Sequence, residues 1–233
     1  MIKEANILAI TLARGGSKSI KNKNIVEVGG EALISYTIRE ALKSNLINEY
    51  IVSTDCAAIK EVAESYGAKV PFMRPSELSN DSAKSSDALI HAILEAERIN
   101  NCKYDFVVEL MATCPLKTVG DIDAIIELIV NNQYDSVIAV HKLDDHHPAR
   151  IKKIEDGKLV DFCVEEKLES RRQDLKPDAY IRSGAIYAMS RKFIVDERKR
   201  FESDRSVAYI MDQSKAVNID GPLDLMLFKA IIE

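Results

Sequence analysis

The chain has 233 residues, of which 46% are hydrophobic and 30% charged, so it can bury the core of one ordinary domain and is not disordered. Its formal net charge of −5 argues against a general nucleic-acid binder, which would present a basic surface. Four cysteines without CxxC or zinc-type spacing indicate reduced thiols, and no run approaches the ~18 apolar residues of a membrane span. We therefore expect a cytoplasmic protein with neither a nucleic-acid nor a membrane partner.

Strand-like and helix-like segments alternate from residue 6 to residue 140. The apolar strand segments are NILAITLA (6–13), YIVST (50–54), AKVPF (68–72), DFVVELM (105–111) and SVIAV (136–140). The helices between them have inner faces formed by Ile34, Ile38, Ala41 and Leu42, by Ile59, Val62, Ala63 and Tyr66, by Leu89, Ala92, Ile93 and Ala96, and by Ile122, Ile125, Ile126 and Ile129. Strands that are apolar on both faces and alternate with helices predict a mainly parallel sheet with helices on both sides.

The pattern changes beyond residue 141. An EDGK turn (155–158) between two alternating segments predicts a hairpin, and the polar stretch LESRRQDLKPD follows it. Because residues 142–180 have little core of their own, we interpret them as a lid or a dimerisation arm inserted in a single domain, 1–233. GAIYAM (184–189) then resumes the strand pattern. The inner face predicted for the last helix consists of Leu223, Met226, Leu227 and Ala230.

A cationic loop, LARGGSKSIKNKN (12–24), follows the first strand. Ligands of open α/β sheets bind at the carboxyl ends of the strands, so the loop occupies the expected position of a site. Its Arg14, Lys18 and Lys23 suit phosphate oxygens, and the glycine pair after Arg14 lets the backbone approach an anion. The loop matches neither GxxxxGK[ST] nor GxGxxG. Its position favours a phosphate site over a solvated basic loop.

Two further polar segments follow strands. VSTD (52–55) ends the second strand, where its last two side chains either cap the next helix or contact a nucleotide. In RPSELSNDSAKSSD (74–87), Arg74 and Ser85 suit contacts with a phosphate or a base, unless the segment is a plain connecting loop.

The segment ELMATCPLK (109–117) ends the fourth strand, with a proline that fixes the turn. We expect Thr113 and Lys117 to point into the same region as the cationic loop. A reactive role for Cys114 is disfavoured because no base is paired with it in the sequence.

A carboxylate precedes the last helix in VNIDGPLDL (217–225). Asp220 lies before a Gly-Pro turn, so it either caps that helix or holds Mg²⁺ beside a phosphate site. Asp224, one turn further on, is interpreted as a solvated helix residue.

Together and in this order, the motifs ARGGSKSIKNKN, VSTD, RPSELSNDSA, MATCPLK, HHPAR, RRQDLKP, SGAIY and NIDGPLD resemble the CMP-sialic acid synthetases, or acylneuraminate cytidylyltransferases. The resemblance covers nearly the whole chain. It implies an α/β, Rossmann-like nucleotidyltransferase fold with a dimerisation insertion. It also implies transfer from CTP to the anomeric hydroxyl of a nine-carbon 2-keto sugar acid, release of pyrophosphate, a need for Mg²⁺, and a homodimer whose insertion reaches the neighbouring active site.

The resemblance also assigns roles to particular residues. Those implied to bind the nucleotide are Arg14, Gly15, Ser17, Lys18, Asn24, Arg74 and Ser85. Those implied to bind the sugar are Met111, Thr113, Arg150, Arg172, Ser183 and Tyr187, the two arginines serving the sugar carboxylate across the dimer. Catalytic roles fall to Arg14, Lys23 and Asp220, and the metal position to Asp220 and Asn218.

Three residues depart from the family pattern near the sugar and the metal. Met111 replaces a glutamine, Ser183 replaces an asparagine, and Asn218 replaces one aspartate of a pair. These departures favour a legionaminate- or pseudaminate-like acid over N-acetylneuraminate. An enzyme for 3-deoxy-manno-octulosonate or another NTP, and a non-catalytic nucleotide-binding homologue, are the alternative functions. No general base is identified.

Overall fold

The computed structural model describes residues 4–143, 146–163 and 171–233. Its strands are β1 (Ile7–Leu12), β2 (Glu27–Val28), β3 (Glu31–Ala32), β4 (Glu49–Ser53), β5 (Phe106–Leu110), β6 (Ser136–Lys142), β7 (Lys152–Glu155), β8 (Lys158–Asp161), β9 (Tyr180–Ser190) and β10 (Ser206–Ile210). Its α-helices are α1 (Leu33–Lys43), α2 (Ala57–Ser65), α3 (Ser85–Asn100), α4 (Val119–Asn132) and α5 (Pro222–Ile232).

A six-stranded sheet in the order β10-β6-β9-β5-β1-β4 forms the centre of the molecule. β1 is parallel to β4 and β5, and β10 is parallel to β6. The long strand β9 is antiparallel to both of its neighbours, β5 and β6. The predicted mainly parallel sheet is therefore confirmed, with one antiparallel strand inserted between two parallel groups.

Both faces of the sheet are covered, because successive side chains of each strand point to opposite sides. From β1, Ile7 and Ala9 pack with the inner faces of α1, α2 and α4. Leu8 and Ile10 point the other way and pack with α3 and with a π-helical turn at Lys192–Asp196. This arrangement confirms the predicted Rossmann-like layers and explains why the strands are apolar throughout.

The prediction that residues 68–72 form a strand is wrong. This segment makes only isolated parallel bridges beside β4, Ile51 to Lys69 and Thr54 to Met73. Pro71 has no N–H group to donate to a ladder, which explains why continuous pairing does not form. Ala68 and Val70 still pack into the core, so the apolar pattern was correct and only the pairing was not.

The predicted hairpin is confirmed, since β7 and β8 pair antiparallel from Lys152 opposite Asp161 to Glu155 opposite Lys158. Asp156 and Gly157 have positive φ angles of 49° and 76°, as a two-residue hairpin turn requires.

The inner face predicted for the last helix is wrong for the isolated chain. Leu223, Met226, Leu227 and Ala230 are all exposed, whereas Phe228 is buried against Val28, Leu33 and Ile219. On α1, Leu42 is likewise half exposed at the border of an otherwise buried face. In α5 most of the apolar side chains lie outside the core, so their periodicity identified the helix but not the face that it buries.

Candidate active site

A cavity of about 480 Å³ opens at the carboxyl ends of β1 and β5, beside the beginning of α3. This is the edge of an α/β sheet where ligands bind. The predicted site residues that line it are Arg14, Ser17, Lys18, Lys23, Asn24, Arg74, Ser85, Met111 and Thr113. Residues predicted to bind the nucleotide and residues predicted to bind the sugar, from distant parts of the chain, therefore line the same cavity.

The cationic loop is anchored at its base by backbone and side-chain hydrogen bonds. The Gly15 N–H donates to Asp55 Oδ1 at 3.0 Å, and the Asn24 side chain donates to the Arg14 carbonyl at 3.0 Å. A Cβ atom on Gly15 would lie 2.9 Å from the Cβ of Cys56. Gly15 is thus required by close packing, and its amide is not offered to an anion as the sequence predicted.

Asp81 holds two of the loop's cations. Its Oδ1 is 3.1 Å from Arg14 Nη1, and its Oδ2 is 2.6 Å from Lys18 Nζ. The hydrogen bond from Lys18 and the charge of Arg14 lower the pKa of Asp81. All three side chains are solvent-exposed, so these pairs are weak and a phosphate group can exchange for the carboxylate. Sequence analysis missed Asp81, although it lies within the segment that was singled out.

A buried arginine forms another part of the cavity wall. Arg74 Nε donates to Ser79 Oγ at 2.9 Å, and Arg74 Nη2 lies 3.7 Å from Asp55 Oδ1. Burial lowers the pKa of Arg74, and Asp55 opposes that shift. Asp55 therefore fixes both the loop and Arg74, and it does not cap α2. Thr54 Oγ1 accepts from the Cys56 N–H, a local turn contact.

Lys23 links the cationic loop to the segment before α5. Its Nζ donates to the Ile219 carbonyl at 2.9 Å and to Asp220 Oδ1 at 3.2 Å, and its side chain is only 14% exposed. Asn218 Nδ2 donates to the other oxygen of Asp220 at 2.7 Å. The predicted catalytic pair Lys23 and Asp220 is thus brought together, with Lys23 facing the cavity.

The donor set around Asp220 fits Mg²⁺ only when substrate oxygens complete it. Among the residues described, no group of three His, Cys, Asp or Glu side chains is arranged to hold a metal. Asp220 is 71% exposed, and the side-chain amide oxygen Oδ1 of Asn218 accepts from Cys114 Sγ at 3.4 Å. Mg²⁺ is commonly bound by one or two carboxylates together with phosphates, and Asp220 can supply one such ligand.

The predicted role of Asp224 as a solvated residue is wrong. Its Oδ2 accepts from the Asp220 N–H at 2.9 Å and from the Gly221 N–H at 2.8 Å. A carboxylate in the first turn satisfies N–H groups that have no partner within the helix. Asp224, and not Asp220, therefore caps α5, which leaves the Asp220 side chain available beside Lys23.

Lys117 does not point into the cavity as predicted. It is fully buried, and its Nζ donates to Thr37 Oγ1, the Met111 carbonyl and the Cys114 carbonyl, each at 2.7 Å. Burial lowers the pKa of Lys117 to about 8. The side chain fixes the turn that carries Met111 and Thr113 and leaves none of its three donors for a ligand.

Three predicted sugar contacts, Ser183, Tyr187 and Arg150, are not brought to the cavity wall. Ser183 is buried, and its Oγ donates to the Ala139 carbonyl at 3.0 Å. The buried ring of Tyr187 lies beneath the Arg200 guanidinium, 3.8 Å from ring centroid to Cζ. Arg150 is exposed in a short 3₁₀ helix, Pro148–Arg150, away from the cavity. The side chain of Arg172 lies outside the described part of the structure.

Glu109 is a cavity residue that sequence analysis missed. It lies within β5, is 1% exposed, and its Oε2 accepts from Arg200 Nε at 2.5 Å. Burial raises the pKa of Glu109, and the charge of Arg200 opposes that shift. A lone acidic residue in an otherwise apolar strand was the signal that could have identified it.

The cytidylyltransferase family profile matches residues 8–219 of this chain. The chain belongs to the cytidylyltransferase family. It is 35% identical to a pseudaminic acid cytidylyltransferase of Campylobacter jejuni, over 96% of this chain and 95% of that protein. It is 30% identical to a CMP-N,N'-diacetyllegionaminic acid synthase of the same species, over 98% of this chain and 95% of that protein.

The fold of this cytidylyltransferase is shared with a CMP:2-keto-3-deoxy-manno-octonic acid synthetase solved in complex with CTP. The TM-score is 0.71 with 16% identity, and the match covers 98% of each chain. At this identity the likeness shows the fold alone. Together the comparisons confirm the predicted family, the Rossmann-like fold and the nucleotidyltransferase class.

Proposed function

We propose that this cytidylyltransferase transfers the cytidylyl group of CTP to the anomeric hydroxyl of a nine-carbon 2-keto sugar acid. The observation that carries the proposal is the cavity in which Arg14, Lys18, Lys23 and Arg74 converge at the carboxyl edge of the sheet. With Lys84, five cations line one space, which suits a triphosphate on a chain whose overall charge is negative. The names of the relatives above support a nonulosonic acid as the second substrate.

In the proposed reaction the sugar hydroxyl oxygen attacks the α-phosphorus of CTP in line with the departing pyrophosphate. The new O–P bond forms as the bond from the α-phosphorus to the bridging oxygen breaks, and the hydroxyl proton passes to solvent. The phosphates of CTP replace Asp81 as the partners of Arg14 and Lys18, and these two cations then neutralise the phosphate charge. Lys23, held by the Ile219 carbonyl, is positioned before the substrate arrives and does not need to be ordered during the reaction.

Mg²⁺ is the proposed cofactor, with Asp220 as its protein ligand and Asn218 as a neutral neighbour. When bound, the ion would neutralise phosphate charge as a Lewis acid. Asn218 orients Asp220 through the hydrogen bond at 2.7 Å. The replacement of a second carboxylate by this amide lowers the negative charge of the site by one, and we expect weaker metal binding than a two-aspartate site provides.

A homodimer is the proposed assembly, with residues 142–180 reaching the neighbouring subunit. In the hairpin, Ile154 and Leu159 are each 76% exposed, and Phe162 just beyond it is also largely exposed. Apolar side chains at this density, on a hairpin that belongs to none of the buried clusters formed by the described residues, are typical of a protein interface. Arg150 lies outside its own subunit's cavity, so a contact with the sugar carboxylate would have to be made in the partner's site.

The cytoplasm is the proposed compartment, and the free thiols of Cys56, Cys102, Cys114 and Cys163 support it, because disulfides form mainly in oxidising compartments. Within the described part of the chain, no helix has the length and apolar character needed to cross a bilayer.

A pyrophosphate-release assay with CTP and a panel of 2-keto sugar acids tests the proposed function. The panel contains pseudaminic acid, N,N'-diacetyllegionaminic acid, N-acetylneuraminate and 3-deoxy-manno-octulosonate, and each is also tested with ATP, GTP and UTP. We expect Mg²⁺-dependent CMP-sugar formation with CTP and a nine-carbon acid. Preference for the octulosonate or for another NTP would favour a related transferase, and CTP binding without turnover on any acid would indicate a non-catalytic homologue.

A further inference from the structure

Cys114 is a buried thiol beside the cavity that the proposed reaction does not use. It is fully enclosed, its Sγ donates to Asn218 Oδ1 at 3.4 Å, and it lies 3.6 Å from the Ser183 carbonyl oxygen. Both of these oxygens only accept hydrogen bonds, so the sulfur carries its proton. Cys114 is therefore a hydrogen-bond donor that points from the protein interior toward the segment before α5.

The backbone holds Cys114 and Asn218 against each other. The N–H of Ile219 donates to the Thr113 carbonyl at 2.8 Å, which joins the turn after β5 to the segment before α5. Cys114 and Asn218 are the residues next to this bond, so their side chains meet. Because Thr113 lines the cavity, the contact lies directly behind the cavity wall.

Two hydrogen bonds determine the orientation of the Asn218 amide. Its Nδ2 donates to Asp220 Oδ2 at 2.7 Å, and an ionised carboxylate can only accept. Its Oδ1 accepts from the Cys114 thiol on the other side. An amide flipped end for end would set its oxygen against the Asp220 carboxylate and its NH₂ group against the sulfur, which is a weak acceptor. The thiol thus favours the orientation in which Asn218 presents nitrogen to Asp220.

This orientation gives Asp220 two hydrogen-bond donors and no second oxygen ligand for a metal. Lys23 Nζ lies 3.2 Å from Oδ1, and the Asn218 amide nitrogen lies 2.7 Å from Oδ2. Mg²⁺ requires oxygen ligands, and a neighbouring ammonium group repels it. The phosphates of a nucleotide would supply oxygens and offset the charge of Lys23. Asp220 therefore has little affinity for a divalent cation until a nucleotide is bound.

We propose that Cys114 is a positioning residue that, through Asn218, keeps nitrogen facing Asp220 and so makes metal binding dependent on bound CTP. The inference rests on the proposed function, because CTP supplies the missing phosphate oxygens. The thiol neither contacts a substrate nor reacts. A side chain without a donor at this position allows the amide to turn, and Asn218 Oδ1 and Asp220 then bind a metal together in the enzyme without nucleotide.

Binding of Mn²⁺, a spectroscopic substitute for Mg²⁺, to the enzyme without nucleotide tests this inference. Electron paramagnetic resonance measures the unbound Mn²⁺, and circular dichroism shows which variants are folded. Cys114→Ala and Cys114→Val both remove the donor, the first with a smaller side chain and the second without leaving a cavity. Cys114→Ser retains an O–H donor. Cys102→Ala is the matched control, because it removes a free thiol that does not line the cavity.

We expect the affinity for Mn²⁺ to rise about fivefold in Cys114→Ala and Cys114→Val, and to stay as in wild type in Cys114→Ser and Cys102→Ala. Asn218→Asp supplies a second carboxylate and should raise the affinity by about 10- to 100-fold, which calibrates the assay. A wild-type affinity equal to that of Asn218→Asp would overturn the proposal. An unchanged affinity in whichever donorless variant folds, or an equal rise in Cys114→Ser, would also overturn it.

Addition of CTP without a sugar acid tests the dependence on nucleotide. Wild type should then immobilise Mn²⁺, which raises the relaxation rate of water protons above that of Mn²⁺ and CTP alone. No increase would overturn the dependence on CTP.

The Mn²⁺ measurements also separate this inference from the proposed function. If no acid releases pyrophosphate but the Mn²⁺ affinities follow the expected order, the role of Cys114 stands and the proposed reaction fails. If CMP-sugar forms but Cys114→Ala and Cys114→Val bind Mn²⁺ as wild type does, the proposed function stands and the role of Cys114 fails.

Discussion

Lys117 provides the sharpest test of how the active-site turn is supported. Replacing it with methionine keeps a similar volume but removes the donor to Thr37 Oγ1 and to the Cys114 carbonyl, whereas the Met111 carbonyl still accepts from the Cys114 N–H and the Thr37 hydroxyl. An unsatisfied buried acceptor costs about 1 kcal/mol or more, so Lys117→Met should lower the free energy of unfolding by about 2 kcal/mol at pH 7. Urea unfolding monitored by circular dichroism measures this difference.

The pH dependence gives an independent check of the same side chain. Burial lowers the pKa of Lys117 from 10.5 to about 8, so between these values the unfolded chain binds more protons at this position than the folded chain. The wild-type free energy of unfolding should therefore rise with pH across that window, by about 3 kcal/mol for this group. Lys117→Met lacks the titration, so the difference between wild type and variant should widen as pH rises from 8 to 10.5.

Other groups that titrate at high pH contribute equally to wild type and to Lys117→Met, so their contributions cancel in the difference between the two free energies of unfolding. Lys43→Met on α1, which removes an exposed lysine, serves as the control and should change the free energy of unfolding by about 0.5 kcal/mol or less. A loss below about 1 kcal/mol for Lys117→Met, or a constant difference between pH 8 and 10.5, would refute the reasoning.

Three further predictions concern the cavity and the insertion. Arg14→Ala and Lys23→Ala should each lower kcat/KM by about 100-fold or more with little change in Tm, and a folded variant of unchanged rate would remove that residue from the site. Asp81→Asn frees Arg14 and Lys18, so KM for CTP at low salt should fall by about two- to fivefold; an increase would show that Asp81 supports binding. Leu159→Asp places a charge on the exposed apolar surface of the hairpin and should convert the proposed dimer to a monomer, which light scattering detects as half the molar mass. A dimer mass that is unchanged in the variant would place the interface elsewhere.

Local patterns predicted most of the elements, and the errors have physical causes. Periodicity identified α1 to α4 and the strands β1, β4, β5 and β6, because their apolar faces are buried within this chain. It also identified α5, but most of that helix's apolar side chains are exposed. The strand β10, Ser206–Ile210, was not predicted, and its side chains are all partly or fully exposed, so it adds no buried face to the core.

Site residues were predictable where one loop or one strand end carries them. Arg14, Lys18 and Lys23 lie in a single segment after β1, so the general position of sites in α/β sheets was sufficient to locate them. The anchoring role of Asp55 was not predictable, because a carboxylate before a helix is equally suited to capping it. Its hydrogen bond to the Gly15 N–H joins residues 40 positions apart.

The sequence by itself determined the fold class, the family and the loop that lines the cavity, since these depend on local periodicity and on the order of motifs. Only the tertiary structure decided which charges meet. Sheet order places β9 beside β5, and this brings Arg200 to Glu109 across 91 residues. The bend of the chain after Arg74 likewise brings Asp81 to the cations of the loop. Contacts between such distant residues depend on strand order and register, which no local pattern encodes.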